Sequence, residues 1–146
     1  MGFVISIYEF DKVTNEYNNF PVFNCTSVNI IKEKFKNYKN IALGELLSGE
    51  LMKIDKEERN IIIEDKLEEI LSFEKIDKLF ITDIDILFNP NYRLDIIKLF
   101  VQLSRNKRFI IQWPGYFSSG YLVYSEPEYE DYKRYEIKEY NLICLN

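Results

Sequence analysis

The chain has no histidine, and among its 146 residues only two are cysteine and only five are glycine. Without histidine, imidazole catalysis and most zinc chemistry are excluded, because protein zinc sites draw mainly on cysteine and histidine ligands. Cys25 and Cys144 lie far apart in the sequence and have no metal-ligand spacing. We therefore expect two reduced thiols, as is usual for a cytoplasmic protein.

The chain also lacks a long apolar run and an excess of basic residues. No stretch approaches the roughly 18 apolar residues of a membrane span, and the first residues lack the basic start of a signal peptide. The net charge of −5 argues against a general nucleic-acid binder, which usually presents a basic face. With 47% hydrophobic and 29% charged residues, the sequence predicts one cytoplasmic globular domain over residues 1–146.

A βαβ unit in the middle of the chain organises the fold prediction. Residues 79–81 form an apolar run that ends at two acids, which is typical of a strand buried on both faces of a parallel sheet. The Asn-Pro pair at 89–90 suits the start of a helix, which we predict to continue to residue 103. Residues 109–111 predict a second buried strand, after which Trp113 is predicted to pack beneath the C-terminal segment.

The rest of the chain predicts further elements on both sides of this unit. We predict strands at residues 3–8, 22–23 and 40–43, and helices at residues 28–38, from residue 45, and at residues 63–71. Seven of the eleven tyrosines lie between residues 116 and 140. Short strands at 121–124, 134–137 and 142–145 predict a β-rich, antiparallel appendage over residues 116–146. The expected fold class is α/β, with a mainly parallel sheet flanked by helices, of P-loop-ATPase-like type.

Asp83 and Asp85, at the end of the first predicted strand of the unit, are the candidate catalytic and metal-ligating residues. Ligands of open α/β sheets bind at the carboxyl ends of the strands, so two acids here suit a Mg²⁺ and nucleotide site of the Walker B kind. The same Asp-x-Asp spacing occurs in haloacid-dehalogenase-type phosphatases, but these need a longer chain after the motif and have Thr or Val where this chain has Leu87. In a third, structural interpretation the acids cap a loop or pair with Arg93 or Arg105.

A nucleotide site also needs a phosphate-binding loop, G-x-x-x-x-G-K-[ST], whose glycines allow a tight turn and whose lysine holds the phosphates. Only residues 22–32, VFNCTSVNIIK, have the order strand, loop, helix. Asn24 and Asn29 stand where the glycines belong, and isoleucines replace the Lys and the Ser/Thr. The candidate nucleotide-binding residues are Asn24, Thr26, Ser27 and Asn29, but ATP hydrolysis in the usual manner is not expected.

Four short motifs occur in the order in which they occur in one family of defence proteins: DILFNP at 85–90, LSRN at 103–106, WPG at 113–115 and GYLVYSEPEYEDYKRY at 120–135. Through them, residues 40–145 resemble the BrxF family, the small P-loop proteins of bacteriophage-exclusion (BREX) defence systems. The resemblance implies an ATPase-like α/β sheet, ATP and Mg²⁺ as candidate cofactors, and the other defence proteins as partners.

The chain departs from this family at two places. The P-loop is absent, and the family's Walker B aspartate falls on Thr82, with Asp83 one position late and Asp85 at the acidic position of the motif. We therefore expect a degenerate, non-catalytic member that binds partners. The alternative is an active Mg²⁺-dependent nucleotide or phosphate hydrolase that uses Asp83 and Asp85.

Two groups of side chains are candidate contacts for macromolecules. Tyrosine offers a large, stiff contact area with a polar tip, and strand alternation cannot bury all the tyrosines of a small appendage. We expect partner proteins, or a second copy of the chain, to contact Arg105, Tyr129, Tyr132 and Tyr135. Within a complex, nucleic acid is a second alternative, and its candidate contacts are Arg93, Arg105, Lys107 and Arg108.

Overall fold

Nine strands and five α-helices build the part of the chain that the computed structural model describes, residues 1–73 and 75–146. The strands are β1 (Phe3–Ile5), β2 (Val22–Asn24), β3 (Lys39–Ala42), β4 (Lys78–Thr82), β5 (Arg108–Gln112), β6 (Tyr116–Ser118), β7 (Tyr121–Tyr124), β8 (Lys133–Glu136) and β9 (Ile143–Leu145). The helices are α1 (Phe10–Glu16), α2 (Val28–Lys34), α3 (Leu43–Leu51), α4 (Lys56–Phe73) and α5 (Ile96–Leu103). Shorter 3₁₀ turns cover Ile7–Glu9, Asp85–Phe88, Pro90–Tyr92 and Ile137–Glu139.

Six of the strands form one sheet, in the order β1-β9-β2-β5-β4-β3, in which every pair of neighbours is parallel. In the middle of this sheet Ile110 of β5 lies opposite Val22 of β2 and Phe80 of β4. The three central residues of β4 and of β5 are buried, because both faces of the sheet are covered. The predicted α/β class, with a mainly parallel sheet flanked by helices, is confirmed.

Helices cover the two faces of the main sheet unequally. On one face, Phe10 of α1 and Ile31 of α2 pack on apolar residues of β1, β2, β5 and β9. On the other face, buried residues of α3, α4 and α5 form a larger core together with the second sheet. No helix in the described part of the chain is long and apolar enough to cross a membrane.

The second sheet is antiparallel, with the order β6-β7-β8, and corresponds to the predicted appendage. One boundary of that prediction is wrong: residues 142–145 were expected in the appendage, but Ile143–Leu145 forms β9 between β1 and β2 of the main sheet. All three residues of β9 are buried. A short, wholly apolar strand suits the interior of a parallel sheet, whereas an appendage with one solvated face would require alternation.

The predicted helix over residues 90–103 is interrupted. Pro90–Tyr92 forms a separate 3₁₀ turn, and the side chain of Asn89 caps it, as its place before proline suggests. Arg93 then adopts a left-handed backbone conformation, with φ of 52°. Helix α5 begins only at Ile96, where the side chain of Asp95 supplies the N-cap. The strong N-cap at Asp95 explains why the helix restarts at that point.

Candidate functional site

The carboxyl edge of the main sheet, where the parallel strands end, carries most of the predicted site residues. The loop after β2 and the acids after β4 lie at this edge, with β5 between them. Asn24, the last residue of β2, is in register with Gln112, the last residue of β5. Asp83 and Asp85 therefore lie at the same edge as the candidate nucleotide-binding loop.

Asn24 is completely buried, at 0% exposure, and all its polar capacity is used within the protein. Its Nδ2 donates to Oε1 of Gln112 at 2.7 Å and to the backbone carbonyl of Thr26 at 3.1 Å. Its Oδ1 accepts from the backbone N–H of Thr26 at 3.1 Å and from the Thr26 hydroxyl at 2.6 Å. An asparagine side chain has two donors and two acceptor sites, so these four bonds satisfy it. Asn24 thus fastens the loop to β5.

The remaining residues of the β2–α2 loop serve the start of α2. Ser27 is the N-cap, and its hydroxyl oxygen accepts a hydrogen bond from the backbone N–H of Asn29 at 3.2 Å. The side chain of Asn29 lies on the exposed surface of the helix. The order strand, loop, helix is as predicted for residues 22–32. Three of the four candidate nucleotide-binding residues therefore have local structural roles.

Asp83 lies against the N-terminus of α3. Its backbone is left-handed, with φ of 57°, and a Cβ placed on Gly44 would overlap the Asp83 carboxylate. The N-cap of α3 is Ala42, which offers no side-chain acceptor. A carboxylate at this place is favoured by the partial positive charge of the helix N-terminus. The position of Asp83 beside the start of α3 supports the structural interpretation of this residue. The sequence did not indicate this neighbour.

Asp85 occupies the first position of the 3₁₀ turn after β4. Burial, and then the charge of Asp83, raise its pKa above the usual value of 3.8. Mg²⁺ is commonly bound by one or two carboxylates together with phosphates and water, and this pair fits that requirement. Among the described residues, no group of three Cys, His, Asp or Glu side chains is arranged to hold a metal. A metal at this edge would therefore depend on Asp83 and Asp85.

The appendage stands beside these acids and is fixed by Trp113. The indole is 2% exposed, and its Nε1 donates to the carbonyl of Val123 at 2.9 Å. Its ring meets Phe23 of β2 and Phe88 of the 3₁₀ turn edge to face. The prediction that Trp113 packs beneath the C-terminal segment is confirmed.

The predicted partner-binding tyrosines differ in exposure. Tyr129 is 60% exposed and Tyr132 is half-buried, but Tyr135 is only 7% exposed. Tyr135 lies opposite Leu122 on the inner face of the antiparallel sheet, and its hydroxyl oxygen accepts a hydrogen bond from the N–H of Ile96 at 3.4 Å. Burial raises the pKa of Tyr135 to about 12. The prediction that Tyr135 contacts partners is wrong, because the two-residue period of β8 turns it inward.

Three of the four predicted nucleic-acid contacts, Arg105, Lys107 and Arg108, line one cavity, whereas Arg93 lines a different one. Arg93 precedes α5 and Arg105 follows it, so that the helix, which rises about 1.5 Å per residue, separates them. Lys107 is used to hold the fold, because its Nζ donates to the carbonyl of Leu71 at 3.0 Å. Arg105 and Arg108 lie at the amino edge of the sheet, opposite the aspartate pair. Arg93 is therefore separated from the other three by the length of α5.

Two residues of the carboxyl edge were not singled out from the sequence. Gln112 could have been found by the rule that strand ends meet at one edge, since it ends the second strand of the βαβ unit. Gly44 has no such signal, because its close approach to Asp83 depends on the parallel pairing of β3 with β4.

No protein-family model, curated protein or solved structure matches the chain. The resemblance to the BrxF family therefore rests on the four sequence motifs and stays a prediction. The structure itself shows an α/β fold. Its carboxyl edge combines the β2–α2 loop, which is held by the hydrogen bonds of Asn24, with the aspartate pair and the tyrosine-bearing appendage.

Proposed function

We propose that this chain is a non-catalytic, partner-binding component of a bacterial antiviral defence system, built on a degenerate P-loop-type sheet. The observation that carries the partner-binding role is Tyr129, a large aromatic side chain that is 60% exposed in the loop between β7 and β8. Exposed tyrosines of this kind are enriched in protein interfaces and often provide much of the binding free energy. The assignment to a defence system rests on the BrxF resemblance.

The loop that carries Tyr129 is ordered by its own hydrogen bonds. The N–H of Tyr129 donates to the carbonyl of Glu126 at 3.0 Å, and the N–H of Tyr132 donates to the carbonyl of Tyr129 at 3.2 Å. The Ser125 hydroxyl donates to the Asp131 carboxylate at 2.7 Å. A loop that is already fixed loses little conformational entropy on binding, which favours affinity.

The charge of the same loop indicates the kind of partner. Between residues 125 and 132 there is no Lys or Arg, and the acidic residues are Glu126, Glu128, Glu130 and Asp131. Opposite charges across an interface increase the association rate and exclude wrong partners. The partner surface that suits Tyr129 and its surroundings is therefore a basic surface of another protein of the system.

The β2–α2 loop supports the non-catalytic part of the proposal. Residues 22–31 contain no lysine, so the segment supplies no side-chain cation for a phosphate. Asn24, at a glycine position of the phosphate-binding motif, spends its polar atoms on Thr26 and Gln112. The position of this loop beside β5, with the aspartate pair beyond it, supports descent from a P-loop-type sheet.

The partner-binding role is tested by co-expression with the proteins encoded beside this gene, followed by capture of the tagged chain. We expect Tyr129→Ala to weaken capture of one partner about tenfold or more, as loss of an interface anchor does. Phe73→Ala is the control, because Phe73 is also a large exposed aromatic residue but ends α4, outside the appendage. If Tyr129→Ala and Tyr132→Ala both fold and retain every partner that the wild type retains, the proposed surface is wrong.

The aspartate pair carries the second candidate function, Mg²⁺-dependent hydrolysis of a nucleotide or phosphate ester. The raised pKa of Asp85 beside Asp83 favours it, since a bound cation would relieve their repulsion. Phosphate release from ATP and GTP in the presence of Mg²⁺ separates the two candidates. The non-catalytic proposal expects no turnover above a blank. Turnover that Asp83→Asn abolishes, while Asp65→Asn on the surface of α4 retains it, would replace that proposal with the hydrolase.

A further inference from the structure

The amino edge of the main sheet, where the parallel strands begin, carries two adjoining cavities of about 240 and 440 Å³. Lys78 and Arg108, the first residues of β4 and β5, line both cavities and join them into one surface, which we call the amino-edge groove. Tyr8 and Lys34 lie towards one end of the groove, and Arg105 lies towards the other. This groove is on the opposite side of the sheet from the aspartate pair and the appendage.

The charge of the amino-edge groove is opposite to that of the whole protein. Among the residues that the structure describes, the carboxylates that line it are those of Asp11 and Asp77, and the cationic side chains are those of Lys34, Lys78, Arg105, Lys107 and Arg108. Even without Lys107, whose Nζ donates within the fold, these lining side chains carry a formal charge of +2 in a chain whose total charge is −5. Across residues 1–73 and 75–146, no ion pair with a carboxylate involves Lys34, Lys78, Arg105 or Arg108. Such separation of charge creates a positive field that attracts an anionic polymer.

Aromatic rings alternate with these cations. Tyr8 is 90% exposed, and the Nζ of Lys34 lies 5.4 Å from the centre of its ring. Tyr38 is half-buried, and the Nζ of Lys78 lies 5.9 Å from its ring centre. A tyrosine that is almost fully exposed contributes little packing to the fold, so the position of Tyr8 is available for a ligand.

The rings stand on a fixed support. Phe35 packs on the buried ring of Phe10 with centroids 4.3 Å apart, and Tyr38 meets the edge of Phe35 at 5.7 Å. The end of α2 and the loop before β3 are thereby held on α1. A groove whose aromatic and cationic groups are already in place is able to bind an extended chain without first being ordered.

We propose that the amino-edge groove binds single-stranded nucleic acid. The cations of the groove, Lys34, Lys78, Arg105 and Arg108, contact the phosphates, and an unpaired base stacks on the exposed ring of Tyr8. Proteins that bind single strands without sequence preference combine a cationic groove with aromatic stacking platforms in this way, whereas a duplex keeps its bases stacked and out of reach. The groove needs no partner protein, so this proposal is independent of the partner-binding role of the appendage.

Fluorescence anisotropy of the 146-residue chain with labelled oligothymidine and oligouridine of about 12 nucleotides tests the proposal, because single-strand binding sites span about 4–16 nucleotides. We expect binding at about 50 mM salt that weakens as the salt concentration rises, since counterions are released. Lys34→Glu combined with Arg105→Glu should reduce affinity by more than about tenfold and lower the salt slope by about 1.4, which corresponds to two lost phosphate contacts. The milder Lys34→Gln, Arg105→Gln pair replaces this variant if the charge reversal impairs folding.

Two matched controls distinguish this groove from general charge effects. Lys56→Glu combined with Arg93→Glu makes the same charge change around a separate cavity of about 630 Å³ near the start of α4, and it should leave affinity nearly unchanged. Tyr8→Ala should weaken binding about tenfold without changing the salt slope, whereas Tyr129→Ala should not weaken it.

Three results would each overturn the proposal. The first is no binding at about 50 mM salt, where phosphate contacts are strong. The second is an equal loss of affinity in the groove variant and in the Lys56, Arg93 control. The third is competition by duplex DNA or polyglutamate as effective as that by unlabelled single strands, which would reduce the groove to an unspecific polyanion surface or a site for acidic protein.

Discussion

Tyr124 stacks on Phe88, with ring centroids 3.7 Å apart and ring planes inclined by 20°. Phe88 ends the 3₁₀ turn that begins at Asp85, and Tyr124 ends β7 at the base of the Tyr129 loop. Burial, and then the charges of Asp85 and Asp131, raise the pKa of Tyr124. The stack therefore connects the aspartate pair with the proposed partner surface, and a movement of the 3₁₀ turn would shift β7.

Trp113→Ala is expected to lower the free energy of unfolding by about 3–5 kcal/mol, because it removes a large buried ring from between the two sheets. Trp113→Phe, the control, retains most of the packing but leaves the carbonyl of Val123 without its donor, which costs about 1–3 kcal/mol. Urea unfolding curves measure both. An alanine variant as stable as the wild type would show that the appendage is held by something other than Trp113.

The two glycines of α3 are expected to respond oppositely to alanine. Gly44→Ala places a Cβ against the Asp83 carboxylate and 2.9 Å from the Asp83 carbonyl oxygen, and overpacking of this kind costs about 1–3 kcal/mol. At Gly49 no atom lies within 4 Å of an added Cβ, and alanine there should stabilise the helix by about 0.5–1 kcal/mol. The unfolding temperatures of the two variants, compared with that of the wild type, check both predictions. Equal shifts of the same sign would contradict the contact between Gly44 and Asp83.

Asp85→Asn should make the protein more stable near neutral pH. Because the pKa of Asp85 is raised above 3.8 in the folded state, the folded protein holds this proton more tightly than the unfolded chain does. The stabilisation by the proton is complete below pH 3.8 and is lost as the pH rises through the raised pKa. Asparagine cannot ionise, so the advantage of the variant should disappear at low pH.

The test is to measure the free energies of unfolding of Asp85→Asn and of the wild type from below pH 3.8 to neutral pH. The difference between the two proteins should grow as the pH rises. Asp65→Asn removes the same charge from the surface of α4 and controls for the change in net charge. A gain of stability in Asp85→Asn that is independent of pH would mean that the ionisation of Asp85, opposed by burial and by the charge of Asp83, is not its cause.

The two cysteines should differ in their reactivity. Although Cys25 and Cys144 are distant in the sequence, the pairing of β2 with β9 brings their Sγ atoms to 4.0 Å. The hydrogen bond with Cys25, and then burial, raise the pKa of the Cys144 thiol, so little thiolate forms there. In the native protein a thiol reagent should therefore modify Cys25 first and Cys144 only on unfolding. Cys25→Ser should remove the faster phase, and equal rates for both thiols would contradict the prediction.

The sequence pattern was sufficient to predict the strands and helices whose apolar and polar residues follow a local pattern. The apolar runs of β4 and β5 indicated strands buried on both faces, and their acidic or polar ends marked the carboxyl edge. The strand, loop and helix order at residues 22–32 was equally clear. The place of Trp113 followed from its position between a buried strand and a turn-rich segment.

The features that were missed depend on contacts between distant residues. Residues 142–145 are a short apolar run with no alternation, so their sequence does not say which strands they pair with. The side-chain bonds of Asn24 require Gln112, which is brought beside it only by the pairing of β2 with β5. The inward orientation of Tyr135 depends on the register of β8 against β7, and a shift of one residue would have exposed it.

The position of β9 between β1 and β2 also has a consequence for the order of assembly. Phe3 of β1 and Val22 of β2 both pair with Ile143, and these two strands have no pairing with each other. As the chain leaves the ribosome, β1 gains its neighbour in the sheet only after β9 has been made. Until then both β1 and β2 expose unpaired backbone groups that another strand can bind. Such long-range closure slows folding and prolongs the exposure of these strand edges.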